Sequence, residues 1–418
     1  MRVSSWPEEA LPSASGSAIR LRDGVSLHLV GDEGVLLDGL SQCLYRANAT
    51  ATFIWFCLED GLSPEESGRH LQRTFGTTET IAKHYVAEAI REWTTLGLLS
   101  DTANETDEPR GRATGDIAIA GDDRSKSAAP DRPFVAVSER NYRLLDTDFR
   151  LRFASHSVEA DIHPFLIPLG ESAPGEADPV VIDVREENGR RALYSGNRVI
   201  ERWAAADEIV PVAKIALVTF ALERSRDFGA LHAAAVCRRP DAPCVVIAGV
   251  SGSGKSTLTA GLVTDGFFSL GDDTIVLARD TLAIRAMPFG ICLKEGAWGL
   301  LSGRLPALAD QPVHQRLDGK RVRYFVPEGG IGSPGRTTQN AVTAVVFPHR
   351  TEGGPDCLLR VSHADALSRL AAEFCPLGGT LDAGKVERLI QWVDDVACFE
   401  LRFSTLDGGM KRIGELCA

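Results

Sequence analysis

CVVIAGVSGSGKSTLTAGLV, residues 244–263, is the stretch on which the reading of the fold turns. It fits G-x-x-x-x-G-K-[ST] at Gly249, Gly254, Lys255 and Ser256. An apolar run at 245–248 has the character of a buried strand delivering the chain to the loop, and 256–263 reads as a helix leaving it. Gly252, Ser253 and Gly254 are small enough to let backbone N–H groups converge on phosphate oxygens. The helix N-terminus adds positive potential at the same place. Lys255 is expected to pair with the β- and γ-phosphates and the Ser256 hydroxyl to bind Mg²⁺, with Ser251 and Thr257 completing the nucleotide-contacting set. ATP and Mg²⁺ are therefore the expected cofactors.

Downstream, GFFSLGDDTIVL (266–277) carries an apolar run, Phe267, Phe268 and Leu270, that ends in Gly271 and then Asp272 and Asp273. Ligands of α/β sheets sit at the carboxyl ends of strands. Two carboxylates there can divide two tasks, one holding Mg²⁺ and the other taking the proton from an attacking hydroxyl. An Asp-Asp turn on the surface is the bland alternative. It is disfavoured by a buried strand before the pair and by Asp273 following Lys255 at 18 residues. LHAAAV (231–236) puts His232 just upstream of the loop strand, a lone histidine whose weight comes only from its company.

Outward from this core, 25–100 has a compact αβ pattern. VSLHLV (25–30) and GVLLD (34–38) flank a GDEG turn, and QCLYRA (42–47) reads as a third strand. Asn48 is a cap for a helix over about 49–60, whose apolar run Phe53, Ile54, Phe56, Cys57 ends at Gly61. Ser63-Pro64-Glu65-Glu66 is a capping box that opens a second helix. A third begins near 77–79, is expected to place Ile81, Tyr85, Val86, Ala89, Ile90 and Trp93 on one face, and stops at Gly97. Residues 1–24 read as a tail, 101–132 as a flexible linker with too little to bury, and 133–418 as the larger domain. That domain begins β-rich, continues into a helix over about 207–227, and later mixes strands (AVTAVVFP, ACFELRF) with helices near 363–374 and 383–395.

A net charge of −12, from 45 basic and 57 acidic side chains over 418 residues, argues against nucleic acid or an anionic membrane as the main partner. No stretch approaches the roughly 20 apolar residues that span a bilayer, and the polar N-terminus has no secretory h-region. The nine cysteines are scattered without a C-x-x-C pair, as small buried hydrophobes of a reducing cytosol are, so a cytoplasmic location is expected.

The histidine strand, the glycine loop and the Asp-Asp pair, in this order, resemble the catalytic domain of bacterial HPr kinase/phosphorylase, itself similar to the phosphoenolpyruvate carboxykinase core. The resemblance implies an α/β P-loop kinase domain, with Asp273 as general base, Asp272 beside the metal and His232 supporting the phosphate and base arrangement. Lys255 and Ser256 keep the roles already given. The family's metal-binding Glu, in a Glu-Ile-Arg-Gly-like segment, has no clean counterpart in LAIRAMPFGICLKEGAW (282–298), where Glu295 is a displaced candidate. A homo-oligomer is compatible with the resemblance. Residues 25–100 resemble PqqD-like proteins, through the strand pair, ANATATFIWFCLEDGLSPEE and EAIREWTTLGLLS. This implies a small α+β winged-helix-like domain to which the leader of a ribosomally made precursor peptide adds a strand.

Three functions follow as expectations. The first joins both halves: a leader-binding domain tethers a kinase that phosphorylates a Ser or Thr of the captured peptide. The second is a kinase of a small molecule or carrier protein, and the third an ATP-gated peptide-binding scaffold with little transfer activity. A guanine-reading N-K-x-D is missing, which disfavours GTPase switching. The cluster Lys320, Arg321, Arg323 reads either as a phosphate or acceptor grip or as a solvated basic face.

Overall fold

Antiparallel pairing of Val25–Val30 with Glu33–Asp38, and of that strand with Cys43–Ala47, builds the three-stranded meander that the short β-like runs predict. Gly31, at φ +60°, fills the first position of the two-residue turn between the first pair. The computed structural model describes residues 19–100, 134–170, 178–187, 189–196, 198–327 and 338–417; the predicted linker at 101–132 and most of the predicted tail lie outside them. The chain divides into two units, Met1–Arg112 and Ala113–Ala418.

In the first unit three helices follow the meander, Ala49–Glu59, Pro64–Phe75 and Glu79–Thr95. Asn48 Oδ1 accepts the Ala51 N–H at 2.9 Å, and Ser63 and Glu66 form the predicted reciprocal capping box. The core closes around Trp55 and Trp93, whose rings meet edge-to-face at 5.0 Å beside Leu36, Ile54, Leu58, Leu71 and Val86. One expectation about a face is corrected. The buried stripe of the third helix is Ala82, Val86, Ala89 and Trp93, while Ile81 and Tyr85 stand exposed. At about 100° per residue, Ile81 lies roughly 110° and Tyr85 roughly 70° from the centre of that stripe, both on the same side of it. In the first helix Trp55 is buried and Phe56 exposed. Arg20–Leu21, inside the predicted 1–24 tail, is a short strand paired with Leu99–Ser100.

The second unit opens with a five-stranded sheet in the order Arg198–Ala204, Arg190–Ser195, Val180–Glu187, Thr147–Phe153, Ser138–Leu144. Helices His156–Leu166 and Ile209–Arg224 pack into its apolar cluster. The helix 156–166 is not apparent in the sequence, because Pro164 sits inside it.

A six-stranded sheet follows, in the order Phe268–Gly271, Ala233–Cys237, Cys244–Ala248, Val342–Arg350, Ala397–Phe403, Cys357–Arg360. Its second strand is antiparallel to both the first and the third. The carboxyl ends of 268–271 and 244–248 therefore emerge at the same edge at which 233–237 begins. Helix Lys255–Thr264 covers one face together with Leu406–Leu416, burying Leu258, Leu262, Met410 and Ile413 against Val245, Ile247 and Val346. The 406–416 helix carries two glycines near its start, which hide it from a propensity reading.

Gly271 closes the 268–271 strand where no other residue fits: a Cβ there would lie 2.7 Å from Thr274 O and 3.0 Å from Ile275 Cγ2. Gly271→Ala is expected to destabilise the protein by about 1–3 kcal/mol. A urea unfolding midpoint equal to wild type would show that the following turn has slack.

Candidate functional site

Three chain segments meet at the shared sheet edge. The 249–256 loop leaves the 244–248 strand with Gly249 at φ +145°, Gly252 at +91° and Gly254 at +100°, conformations that residues with a Cβ rarely adopt. Gly254 is the left-handed N-cap of the Lys255–Thr264 helix, so the loop delivers Lys255, Ser256 and Thr257 as the first turn. The Lys255 ammonium is mostly buried and donates to Gly249 O and, at 3.3 Å, to Val250 O. Burial lowers its pKa, partly opposed by the carboxylates of Glu373, Asp272 and Asp273.

Asp272 is 5% exposed. Its Oδ2 accepts the Cys292 N–H at 2.8 Å, and its Oδ1 is buried without a hydrogen-bond partner. Burial, then the charge of Asp273, pushes this carboxyl up to about 6, against the pull of Lys214, the Cys292 amide and the Ser256 hydroxyl beside it. Asp273 is driven the other way. Lys214 Nζ donates to its Oδ2 at 3.1 Å and His232 Nδ1 stands 3.5 Å from its Oδ1. The Lys214 charge holds the carboxyl well below the usual range despite burial, helped by His232 and Arg316. Adjacent carboxylates are thus split into one that ionises reluctantly and one that is ionised at neutral pH.

An orphan carboxylate oxygen with a serine hydroxyl beside it suits a magnesium ion. Among the described residues no cluster of three His, Cys, Asp or Glu offers a complete protein cage. Magnesium at nucleotide sites needs no such cage, because it keeps waters and takes phosphate oxygens. Ser256 and Asp272 are the residues that would hold it.

Every predicted site residue from 249 to 257 lies on the loop or first helical turn, and His232, Asp272 and Asp273 join them at the edge. Glu295 does not. It opens the Glu295–Leu301 helix and accepts Arg321 Nη1 at 2.6 Å, both side chains being more than half exposed. Its neighbour Lys294 faces the loop instead, donating to Ser251 Oγ at 2.9 Å. The basic cluster is occupied elsewhere: Lys320 pairs with Asp318 at 2.8 Å, and Arg323 lies 4.4 Å over the Trp298 ring. Lys214, Lys294 and Arg316 are site residues that the sequence reading misses. Only Lys214 leaves a signal, as the sole charged residue between Ile209 and Leu222 in an apolar helix.

No protein-family model matches the chain, nor does any curated protein. Among solved structures, the chain is similar to TbiB1 in complex with the TbiA(beta) leader peptide, at 24% identity and a TM-score of 0.19, over 20% of this chain and 99% of that one. It is also similar to lasso peptide synthetase B1 complexed with the leader peptide, at 28% identity and a TM-score of 0.20, over 20% of this chain and 100% of that one. Among the described residues no helix is long and apolar enough to cross a membrane.

The raised Asp272 carboxyl has a consequence for stability. An acid whose folded pKa exceeds its ordinary 3.8 penalises the fold as it ionises, so this cost is absent below that value and complete above about 6. Asp272→Asn, which keeps an acceptor for the Cys292 N–H, is expected to raise the thermal midpoint of magnesium-free protein above about pH 7. The gain should vanish at the acid end of the titration. A lower midpoint for the variant at neutral pH would contradict the burial account.

Proposed function

We propose that this chain is an ATP-dependent kinase, whose α/β P-loop domain phosphorylates a Ser or Thr hydroxyl of a ribosomally made precursor peptide held through its leader by the first unit. The observation that carries the kinase reading is the convergence at one sheet edge. A glycine-rich loop with its lysine, a carboxylate with a free buried oxygen and a second carboxylate held ionised by Lys214 are the parts that phosphoryl transfer uses.

Each group has a task in that chemistry. The loop amides and Lys255 bind the β- and γ-phosphates, and Ser256 and Asp272 orient the metal end of the nucleotide. Magnesium, when bound, supplies charge neutralisation to the phosphate oxygens. Asp273 accepts the proton of the incoming hydroxyl as its oxygen forms the new bond to the γ-phosphorus, and the bond to the ADP oxygen breaks. A carboxylate kept ionised is ready for that proton, and His232 and Lys214 hold it in place.

The peptide part of the proposal draws on the PqqD-like sequence of the first unit and on its surface. The meander leaves the outer edges of Val25–Val30 and Cys43–Ala47 without a partner strand among the described residues. Leu29, Ile81 and Tyr85 are exposed in the same unit. An open edge with apolar side chains suits an added strand. A covalently tethered catalytic unit then meets its acceptor at high effective concentration.

The engagement of Glu295 with Arg321 favours a second reading, an ATP-gated peptide-binding scaffold, because it leaves the metal end with fewer carboxylates than the resembling family uses. Mass spectrometry separates the two. Incubated with Mg·ATP, leader-bearing peptides with Ser or Thr are expected to gain a phosphate-sized mass. Lys255→Ala should abolish the gain, and Asp273→Asn should slow it by about 10²–10⁴ while sparing nucleotide binding. Deletion of residues 1–100 should raise KM for such a peptide and leave kcat largely intact. Binding of ATP and peptide without transfer would support the scaffold, and transfer indifferent to the deletion would point to another acceptor.

A further inference from the structure

Lys294 is absent from every role given so far. It ends the Ile291–Lys294 strand, whose Ile291 and Leu293 are fully buried, so its backbone is fixed. Cys292, two residues earlier on the same strand, donates its amide to Asp272. Side chains two apart on a strand share a face, which puts Lys294 on the side of the strand that carries the Cys292 thiol. That thiol lies within the field of both Asp272 and Asp273 and is pushed up to about 11, chiefly by burial. Lys294 thus reaches the loop from the flank that holds the two aspartates.

Its ammonium has one hydrogen bond there, to the neutral Ser251 hydroxyl, and forms no salt bridge among the described residues. Lys255, at the end of the same loop, hydrogen-bonds only carbonyl oxygens, and Lys294 adds a repulsion to the burial that lowers its pKa, against the larger pull of Glu373, Asp272 and Asp273. Two repelling cations around a glycine-rich turn form an arrangement that an anion would stabilise.

We infer that Lys294 is a second phosphate-gripping cation, whose ammonium exchanges Ser251 Oγ for an oxygen of the nucleotide's terminal phosphate. The inference rests on the reading of the 249–256 loop as a nucleotide site. The terminal phosphate is the part selected, because Lys294 approaches from the aspartate flank, where the metal end and the acceptor hydroxyl belong. A cation at that oxygen also opposes the negative charge that gathers there as the phosphoryl group transfers.

Calorimetry on the full chain tests this with two probes, Mg·ATP and Mg·ADP, and with Lys294→Gln, Lys294→Arg and Lys255→Ala. Lys294→Gln is expected to weaken Mg·ATP about tenfold and to change Mg·ADP less than about twofold. Lys294→Arg should restore most of the ATP affinity, which a merely structural lysine would not require. Unchanged ATP affinity in Lys294→Gln, or equal losses for both nucleotides, overturns the inference while wild-type binding and its loss in Lys255→Ala keep the nucleotide site. Wild-type protein that takes up neither nucleotide overturns both.

Discussion

The direction of three neighbouring strands is the constraint on which the site depends. Because 233–237 runs against both 268–271 and 244–248, the start of one strand and the ends of two others coincide at one edge. His232, Asp272, Asp273 and the glycine loop come together through hydrogen-bond register, and flexible side chains need do little. The strands and helices beneath them are tightly packed. Ala233, Ala234, Ala235 and Val236 are wholly buried, and the loop helix is clamped by the 406–416 helix. Charges gathered in such a place feel one another strongly, which is why neighbouring aspartates of the same chemistry are pushed to opposite ends of their range.

Charge within the site is shared between elements distant in sequence. Lys214 comes from a helix, Asp272 and Asp273 from a strand end, Lys255 from a helix start and Lys294 from another strand. Lys214 is buried, and its ordinary response to burial, loss of the proton, is outweighed chiefly by the charge of Asp273, so it remains an ammonium. A buried lysine of this kind contributes position and field together, and its partner aspartate inherits both.

The legible parts of this sequence are those written in local chemistry. Asn48 and Ser63 announce their helices because a cap needs only the next three residues, and the 244–263 run announces strand, loop and helix at once. The Asp-Asp pair is legible because Gly271 marks the strand end before it. Faces are harder: Ile81 and Tyr85 have the right composition for the core but the wrong angular position, which the packing of Trp93 against Trp55 decides. Glu295 and Lys294 are adjacent in sequence, and only the register of 291–294 with Arg321–Phe325 fixes which of them turns to the loop. Arg316 and Lys214 act on Asp273 across scores of residues; the apolar helix around Lys214 marks it out, but no local pattern names the partner of either.

The carbonyls of Gly249 and Val250 grip Lys255 and act as a pseudo-ligand for its ammonium. Under the proposed kinase function, arrival of a triphosphate would be an exchange reaction, in which the ammonium releases two neutral oxygens for charged ones. The same carbonyls would recapture the lysine as the spent nucleotide leaves. Such a latch would trade some affinity for turnover.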